Sequence, residues 1–455
     1  MPLLLLKERH SFKIALASSV LVFLLSAYAS YAGLAGGFGA LSFSQSYIPS
    51  LGIDLSLQLT QYSNIFLVLS SVVLLAASLV ADGFIKESGR IYNLLFLLLE
   101  SSVIGLFLSG SLFLFYVFWE LSEVAAFFII YIFGGFDRRY AAIKFIVYSA
   151  VASLCLLIGI MLVYGGVPTH TFDIASIMSQ SASIPAAAQL PAVLFLALAF
   201  LIKMPSFPFH SWLPDAYTEA PTPGSMVLAG ILSKSAAYGL LLMLLLLPLS
   251  LTYANYLAVL FGFSALYAAM VALRQPNLKR LTAYASMVGM GIASMGLASS
   301  NAFGTAGALY ALLGSGVAVS LMFLVSGAID ESFGTPLLER IKGLLKDLPA
   351  LAYSFMFSTF AVVGIPLTAG FVGYLLVFSG AFKAYGFMGM IPMAAIVILG
   401  ASLFYVMEKS FLNVSSAVEP YKNPRKSVYV AIGLLAAATL LFGLLPSLLL
   451  SPFAV

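Results

Sequence analysis

"FLIKMPSFPFH", residues 200–210, ends a long apolar run and then places a lysine, two prolines and a histidine in quick succession. The run behind it reaches back to about residue 189, long enough for a helix rising about 1.5 Å per residue to enter a bilayer core of about 30 Å. Pro205, Pro208 and, just beyond, Pro214 supply no backbone donor, and their rings cannot sit in a continuous helix without freeing carbonyls. Unwound backbone at membrane depth is tolerated only where protein or a water-filled cavity satisfies it. The stretch therefore predicts a transmembrane helix broken just after Lys203, with a hydrated pocket beside the ammonium.

The remainder of the chain fits that reading. Of 455 residues, 62% are hydrophobic and only 8% charged, and the mean hydropathy is +1.07. No globular interior in water could bury such a chain. The apolar runs lack the alternation by twos of a barrel. They read as thirteen helical spans, near 12–34, 59–82, 91–110, 111–134, 140–165, 189–217, 222–248, 254–274, 279–299, 303–329, 349–387, 390–411 and 427–451. The fold class is an all-α polytopic membrane protein. The first run has no small-residue cleavage site and sits behind Lys7, Arg9 and Lys13, so it reads as an anchor that sets topology rather than a removed signal peptide.

Basic residues test the span count, because Lys and Arg collect in cytoplasmic loops. With the N-terminus cytoplasmic and the C-terminus outside, eighteen of the twenty-one fall on the cytoplasmic side; Lys383 lies toward the outer side, and Lys203 and Lys234 lie within spans. Splitting either proline-containing span into two crossings would scatter this bias. The formal net charge of +4 thus marks orientation in a cell membrane rather than a nucleic-acid partner; lipid is the expected surrounding. Cys155 is the only cysteine. That excludes an internal disulfide and any all-cysteine site for an iron–sulfur cluster or structural zinc on this chain. His10, His170 and His210 lie far apart in sequence, and no haem or nucleotide fingerprint is present. Redox chemistry, if involved, belongs to other chains.

Ionisable groups left at membrane depth each cost roughly 2.5–3.5 kcal/mol at a helix centre, so they usually face a bundle interior and carry function. Here they are Glu100, Glu120, Glu123, Lys203 and Lys234. Glu120 and Glu123, three apart in "FYVFWELSEVAAFF", share roughly one helix face. Two such carboxylates repel when both are ionised, which holds a proton close by unless a cation intervenes. Lys203 is the best candidate for that cation, and a buried lysine readily shifts its pKa. A static Glu–Lys pair that only pins two helices is the competing structural reading. Glu100 is placed either in function or near an interface. His210, Asp215 and Glu219 follow the break in line toward the cytoplasm, as an access path for protons requires, although for Asp215 and Glu219 an ordinary interfacial loop is the better reading.

A second interruption lies at Pro366 in "FAVVGIPLTAGFVGYLLVF". Paired interruptions in two halves point to inverted repeats with function at the breaks. Spans three to seven and eight to twelve form five-helix units, each broken in its fourth helix, and an odd number of crossings makes them run in opposite senses. The expected organisation is 1–90, N-terminal helices and an outer loop; 91–248, the first repeat and input half-channel; 254–411, the second repeat and output half-channel; and 412–455, a C-terminal helix.

"KMPSFPFHSWLPDAYTEAPTPGSMVLAGILSKSAAYGL", residues 203–240, resembles the signature of the antiporter-like subunits of respiratory complex I and its relatives. "FYVFWE" before it, and "KRLTAYASMVGMG" and "GIPLTAGFVGY" after it, match the same family in order, from about residue 45 to the C-terminus. "APTPGSMVLAGILSK" is closer to subunit M than to subunits L or N or the Mrp antiporters. The resemblance implies proton, sometimes sodium, translocation driven by electron transfer in a separate peripheral arm. It places the family's "WE" glutamate on Glu120, the lysine of the glutamate–lysine pair on Lys203, and the central lysine on Lys234. It also implies partners: paralogous antiporter-like chains in a membrane arm, and a redox arm whose subunits carry Fe–S clusters and a quinone site. No cofactor is expected on this chain, which counts as an enzyme only as a subunit of a proton-translocating quinone oxidoreductase.

Three departures from the family stand out. Relatives usually carry a further helix before the first one here. Where many have histidines in the centre, this chain has Val288 and Ser315. The exit glutamate or lysine aligns with Tyr374, with Lys383 nine residues further along. An exit through Tyr374, Ser315, Lys383 and water is therefore expected, against a closed output half that leaves a non-pumping scaffold. A cation/proton antiporter subunit and an energy-converting membrane-bound hydrogenase subunit are the other classes.

Overall fold

The structure is a computed structural model describing residues 8–49, 52–412 and 422–453. Lys7 and most of the link at 412–426 lie outside the described residues. The chain opens with α1 (Glu8–Gly36) and reaches α2 (Gln61–Phe84) through an antiparallel hairpin, β1 (Ser42–Ile48) and β2 (Ile53–Gln58). The sequence reading has only an outer loop there. "SFSQSYI" puts a serine at every second position, 42, 44 and 46, with Phe43, Gln45 and Tyr47 on the other face, the period of a strand, and its register runs from Ser42 opposite Gln58 to Ile48 opposite Ile53. Thr60 closes the N-terminus of α2 with a reciprocal capping box to Ser63, a contribution of about 1 kcal/mol.

Next come α3 (Gly89–Leu108), α4 (Leu112–Phe133), α5 (Arg138–Gly166), the short α6 (Ile174–Ser179), α7 (Ala186–Lys203) and α8 (Trp212–Glu219). A single span is then built from α9 (Thr222–Val227), a π-helical turn at Leu228–Leu232, and α10 (Ser233–Leu246). The second half follows as α11 (Ser250–Ala272), α12 (Leu278–Ala298), α13 (Ala302–Phe333), α14 (Leu344–Asp347), α15 (Pro349–Val363), α16 (Ala369–Tyr385), α17 (Ile391–Met407), α18 (Lys426–Leu444) and α19 (Ser447–Leu450).

Among the described residues, twelve helical stretches are long and apolar enough to cross a membrane. The difference from thirteen has a local cause. A 3-10 turn at Gly386–Met390 carries α16 into α17 without a gap, so Ala369–Phe411 is one run of 43 residues. That is twice a bilayer crossing, and dividing it at the turn restores the thirteenth span.

α3, α4, α5, α7–α8 and α9–α10 form one five-helix unit; α11, α12, α13, α15–α16 and α17 form the other. In each, the third helix lies along the broken fourth: α5 against α7 and α8, and α13 against α15 and α16. The apolar windows of α9–α10, α12 and α13 are buried throughout, so these helices make the core of the molecule. α1 is the opposite case, with Leu21, Leu24, Leu25 and Tyr28 exposed on its outer face. The α13–α16 contact is too close for side chains at its centre: a methyl on Gly373 would stand 2.4 Å from the Ala311 nitrogen. The basic loops at Lys86, Arg138, Lys279 and Arg340 join the same ends of successive helices, and that end is called the basic face below.

Candidate functional site

α7 ends at Lys203, and the chain turns through 204–211 before α8 begins. Proline chemistry forces the break, but protein satisfies its backbone. Met204 N–H donates to the Phe200 carbonyl at 2.7 Å and Ser206 N–H to that of Leu201 at 3.0 Å. The Trp212 indole donates to the Ile202 carbonyl at 2.9 Å, and Phe207 N–H donates to Ser264 Oγ on α11 at 2.9 Å. In place of the expected hydrated pocket, Lys203 has a closed surround and is 1% exposed. Its Nζ stands 4.5 Å from the Phe145 ring centroid and 5.4 Å from that of Trp212, within cation–π range of both.

The partner of Lys203 is Glu123, with Nζ 2.5 Å from Oε1. The ammonium also donates to Ser149 Oγ of α5 at 3.1 Å. Apart from Lys203, neither Glu123 oxygen has a hydrogen-bonding partner among the described residues. Glu120, the glutamate that the resemblance assigns to the pair, sits one turn earlier on α4. It is only half-buried, interacts with Tyr116, and reaches Lys203 through its field rather than by contact. Of two carboxylates on nearly one face of α4, which packs on α3 and α5, Glu123 is the one in contact with the ammonium.

From the break toward the basic face, the polar groups of α8 meet α5. Ser211 Oγ lies 2.9 Å from the Tyr148 hydroxyl. Asp215 is held by two cations, Lys144 Nζ at 2.8 Å and Arg280 Nη1 of α12 at 2.9 Å. Glu219 Oε2 accepts the Asp137 N–H at 3.0 Å and lines a cleft of about 620 Å³ on the basic face, together with Lys86, Lys279, Asp330 and Glu331. Burial pushes the Glu219 carboxyl above the usual range, opposed in part by the Asp137 N–H. His210 turns the other way: its ring packs edge-on against Tyr267 at 4.8 Å, and Nδ1 has no partner among the described residues.

Lys234 is fully buried on α10, with no carboxylate within 4 Å among the described residues. Its Nζ donates to the Ala229 carbonyl at 2.5 Å. That carbonyl is offered by the π-helical turn, whose widened hydrogen-bond pattern changes which backbone oxygens face inward. Glu100 stands apart from this cluster, at the α1–α3 contact, where Ser18 Oγ donates to its Oε2 at 3.0 Å.

In the second unit, α15 stops at Gly364 (φ +77°) and α16 resumes at Ala369, with Pro366 between them. Tyr374 is buried. Its ring packs on Gly364, where an added methyl would meet it at 2.6 Å, and its hydroxyl donates to the Val362 carbonyl at 3.3 Å. Ser315 of α13 and the Tyr374 hydroxyl converge on Gly289 of α12, beside buried Val288; a methyl at Gly289 would lie 3.1 Å from Ser315 Cβ and 3.4 Å from that hydroxyl. Lys383 is exposed in the last turn of α16, nine residues from Tyr374, and the two are not brought together.

The structure thus joins Lys203 with Glu123, brings Tyr374 and Ser315 to the same glycine of α12, and buries Lys234 in the core. The residues that sequence reasoning missed are Ser149, Tyr148 and Ser211. Their partners are 54 to 63 residues away in sequence, and nothing in the local pattern marks them.

Two opposed helical units, each broken at its fourth helix and with buried cations in the core, define an ion-translocating membrane protein. The chain belongs to the NADH:quinone oxidoreductase/Mrp antiporter transmembrane family, which matches residues 109–400. It is 32% identical over 446 residues to NADH-quinone oxidoreductase subunit M of Rickettsia typhi, covering 97% of this chain and 90% of that protein. It is 34% identical to F(420)H(2) dehydrogenase subunit M of Methanosarcina mazei, covering 89% and 83% of the two. Among solved structures, a chain of respiratory complex I from Thermus thermophilus superposes with a TM-score of 0.90 at 29% identity, covering 97% of this chain and 94% of that one.

Proposed function

We propose that this chain is a proton-translocating membrane-arm subunit of a redox-driven, quinone-reducing complex. The observation that carries the reading is the Glu123–Lys203 pair, buried at a broken helix, with a second lysine, Lys234, buried in the core without a carboxylate. Groups of this kind are expensive inside a membrane protein and are kept where charge has to move. The pair stores a proton on one side or the other, Lys234 takes the charge at the centre, and the Ser315–Tyr374 pair with water passes it outward. Residues 91–248 form the input half-channel and 254–411 the output half-channel. Eighteen basic residues orient the basic face, with the N-terminus, toward the cytoplasm of a prokaryotic-type cell, and the C-terminus outside. Protons rather than sodium are favoured, because among the described residues no carboxylate stands within 4 Å of Lys234 to help form the oxygen-rich cage a hard cation takes.

The electron-carrying groups, Fe–S clusters and a quinone site, belong to partner subunits in this reading, alongside paralogous membrane chains. Tyr374 in place of the family's exit charge favours a second reading, a scaffold subunit whose output half is closed. Classes without a quinone, a cation/proton antiporter or a membrane-bound hydrogenase, differ in their partners.

Isolation of the complex from native membranes tests the proposal. Its partner chains would be identified, and the complex reconstituted in vesicles with a quinone and either NADH or reduced deazaflavin. Donor-dependent proton movement into the lumen that persists without sodium is the expected result. Quinone reduction with no proton movement would leave the scaffold reading, and co-purification without redox subunits would move the chain to an antiporter.

A further inference from the structure

The access path described above has a gap between the ion-paired layer at Asp215 and the buried pair at Lys203. α5 faces α7 and α8 with three successive polar groups. Lys144 meets Asp215, Tyr148 meets Ser211, and Ser149 meets Lys203. Lys144 and Tyr148 are four residues apart, as are Asp215 and Ser211, so the hydroxyl pair lies one helical turn, about 5.4 Å, deeper than the ion pair. The next residue of α5, Ser149, points around the helix to accept from the Lys203 ammonium, so the two layers lie at the same depth and a water is needed to join them.

The three layers differ in what they can do with a proton. Asp215 has one oxygen on each of two cations, Lys144 and Arg280, so both of its oxygens are engaged. His210 is turned toward Tyr267 and Phe207, off the α5–α8 contact. The Tyr148 and Ser211 hydroxyls are half-buried, 2.9 Å apart, and either can be the donor. Each carries one proton and has lone pairs free to accept another.

We propose that Tyr148 and Ser211 form the proton relay that links the cytoplasmic ion-paired layer to the Lys203–Glu123 pair. The step balances without a co-reactant. A proton arriving from water on Ser211 Oγ is matched by release of the serine's own proton to the Tyr148 oxygen. Tyr148 in turn releases its proton through water toward the Lys203–Glu123 pair once that pair has passed its own proton inward and Lys203 is the neutral amine, and both hydroxyls end neutral and then reorient. The proposal rests on the translocation reading above and adds two residues to it.

The test uses the assembled complex in vesicles and compares Tyr148→Phe, Ser211→Ala and the double variant with Lys203→Ala. Tyr148→Phe keeps the ring and its packing, and assembly is checked by the size and thermal unfolding of the complex. A relay predicts that each single variant slows redox-driven proton uptake by at least about fivefold. It also predicts that the double variant is no slower than the worse single, because both residues serve one step, and that slowing in heavy water increases. Tyr148→Phe within twofold of the unaltered complex, while Lys203→Ala stops uptake, overturns the relay alone. Losses that multiply in the double variant also overturn it, since they mark two separate packing effects. Uptake unaffected by Lys203→Ala overturns both the relay and the translocation reading.

Discussion

Glu123→Gln abolishes proton-coupled turnover, whereas Glu120→Gln leaves most of it. Glu123 is the carboxylate in contact with the Lys203 ammonium, 2.5 Å away and 2% exposed, while Glu120 is half-buried beside Tyr116. Glutamine keeps the shape of the side chain and cannot carry a proton on and off. The expected loss for Glu123→Gln is tenfold or more in proton uptake, on the scale of about 10²–10⁴ for groups that transfer protons in reactions; for Glu120→Gln it is within about twofold. Removing one partner of a buried ion pair also costs about 3–5 kcal/mol, because the other charge is left uncompensated. Glu123→Gln should therefore lower the thermal stability of the complex, and adding Lys203→Met should restore stability without restoring uptake. That combination separates a proton-carrying pair from one that only pins α4 to α7. If Glu120→Gln proved the more damaging, the pairing described here would not be the working one.

Tyr374→Phe is the second decisive substitution, because it removes one oxygen and little else. The ring rests on Gly364 and fills the break between α15 and α16, and phenylalanine fills the same space. The hydroxyl that is lost is the one that converges with Ser315 on Gly289. If the outward path runs through that hydroxyl and water, uptake measured in reconstituted vesicles drops about tenfold or more, again on the scale of a lost proton-transfer group. Ser315→Ala should produce a smaller loss, since water can occupy part of the space it leaves. Unchanged uptake in Tyr374→Phe would favour the closed output half and the scaffold reading.

Lys203 and both broken helices were legible in the sequence because the physics that marks them is local. Proline removes a donor wherever it sits, and a lysine after a long apolar run is costly whatever surrounds it. The choice between Glu123 and Glu120 was not legible. The two are three residues apart on nearly one face, and how α4 packs on α3 and α5 decides which one meets a lysine some 80 residues later. The same holds for Tyr148, Ser149 and Ser211, ordinary residues that gain meaning from partners on another helix. The π-helical turn before Lys234 left no specific mark either, since a single glycine such as Gly230 within an apolar run is tolerated in an ordinary α-helix. Its position against α13, where Ser320 Oγ donates to the Met226 carbonyl at 2.9 Å, belongs to the packed core. The hairpin at Ser42–Gln58 did leave a mark, the alternation in "SFSQSYI", within a chain whose other segments are read by helical runs.

In the proposed route, a charge that crosses from the first unit to the second passes through the core where Lys234 stands. Alanine at this position removes the ammonium and leaves the Ala229 carbonyl of the π-helical turn without its side-chain donor. The direct measurement is the number of protons moved per electron pair in vesicles containing the assembled complex with Lys234→Ala. A lower ratio is expected, in a complex that still assembles and still reduces quinone. An unchanged ratio would contradict the proposed route.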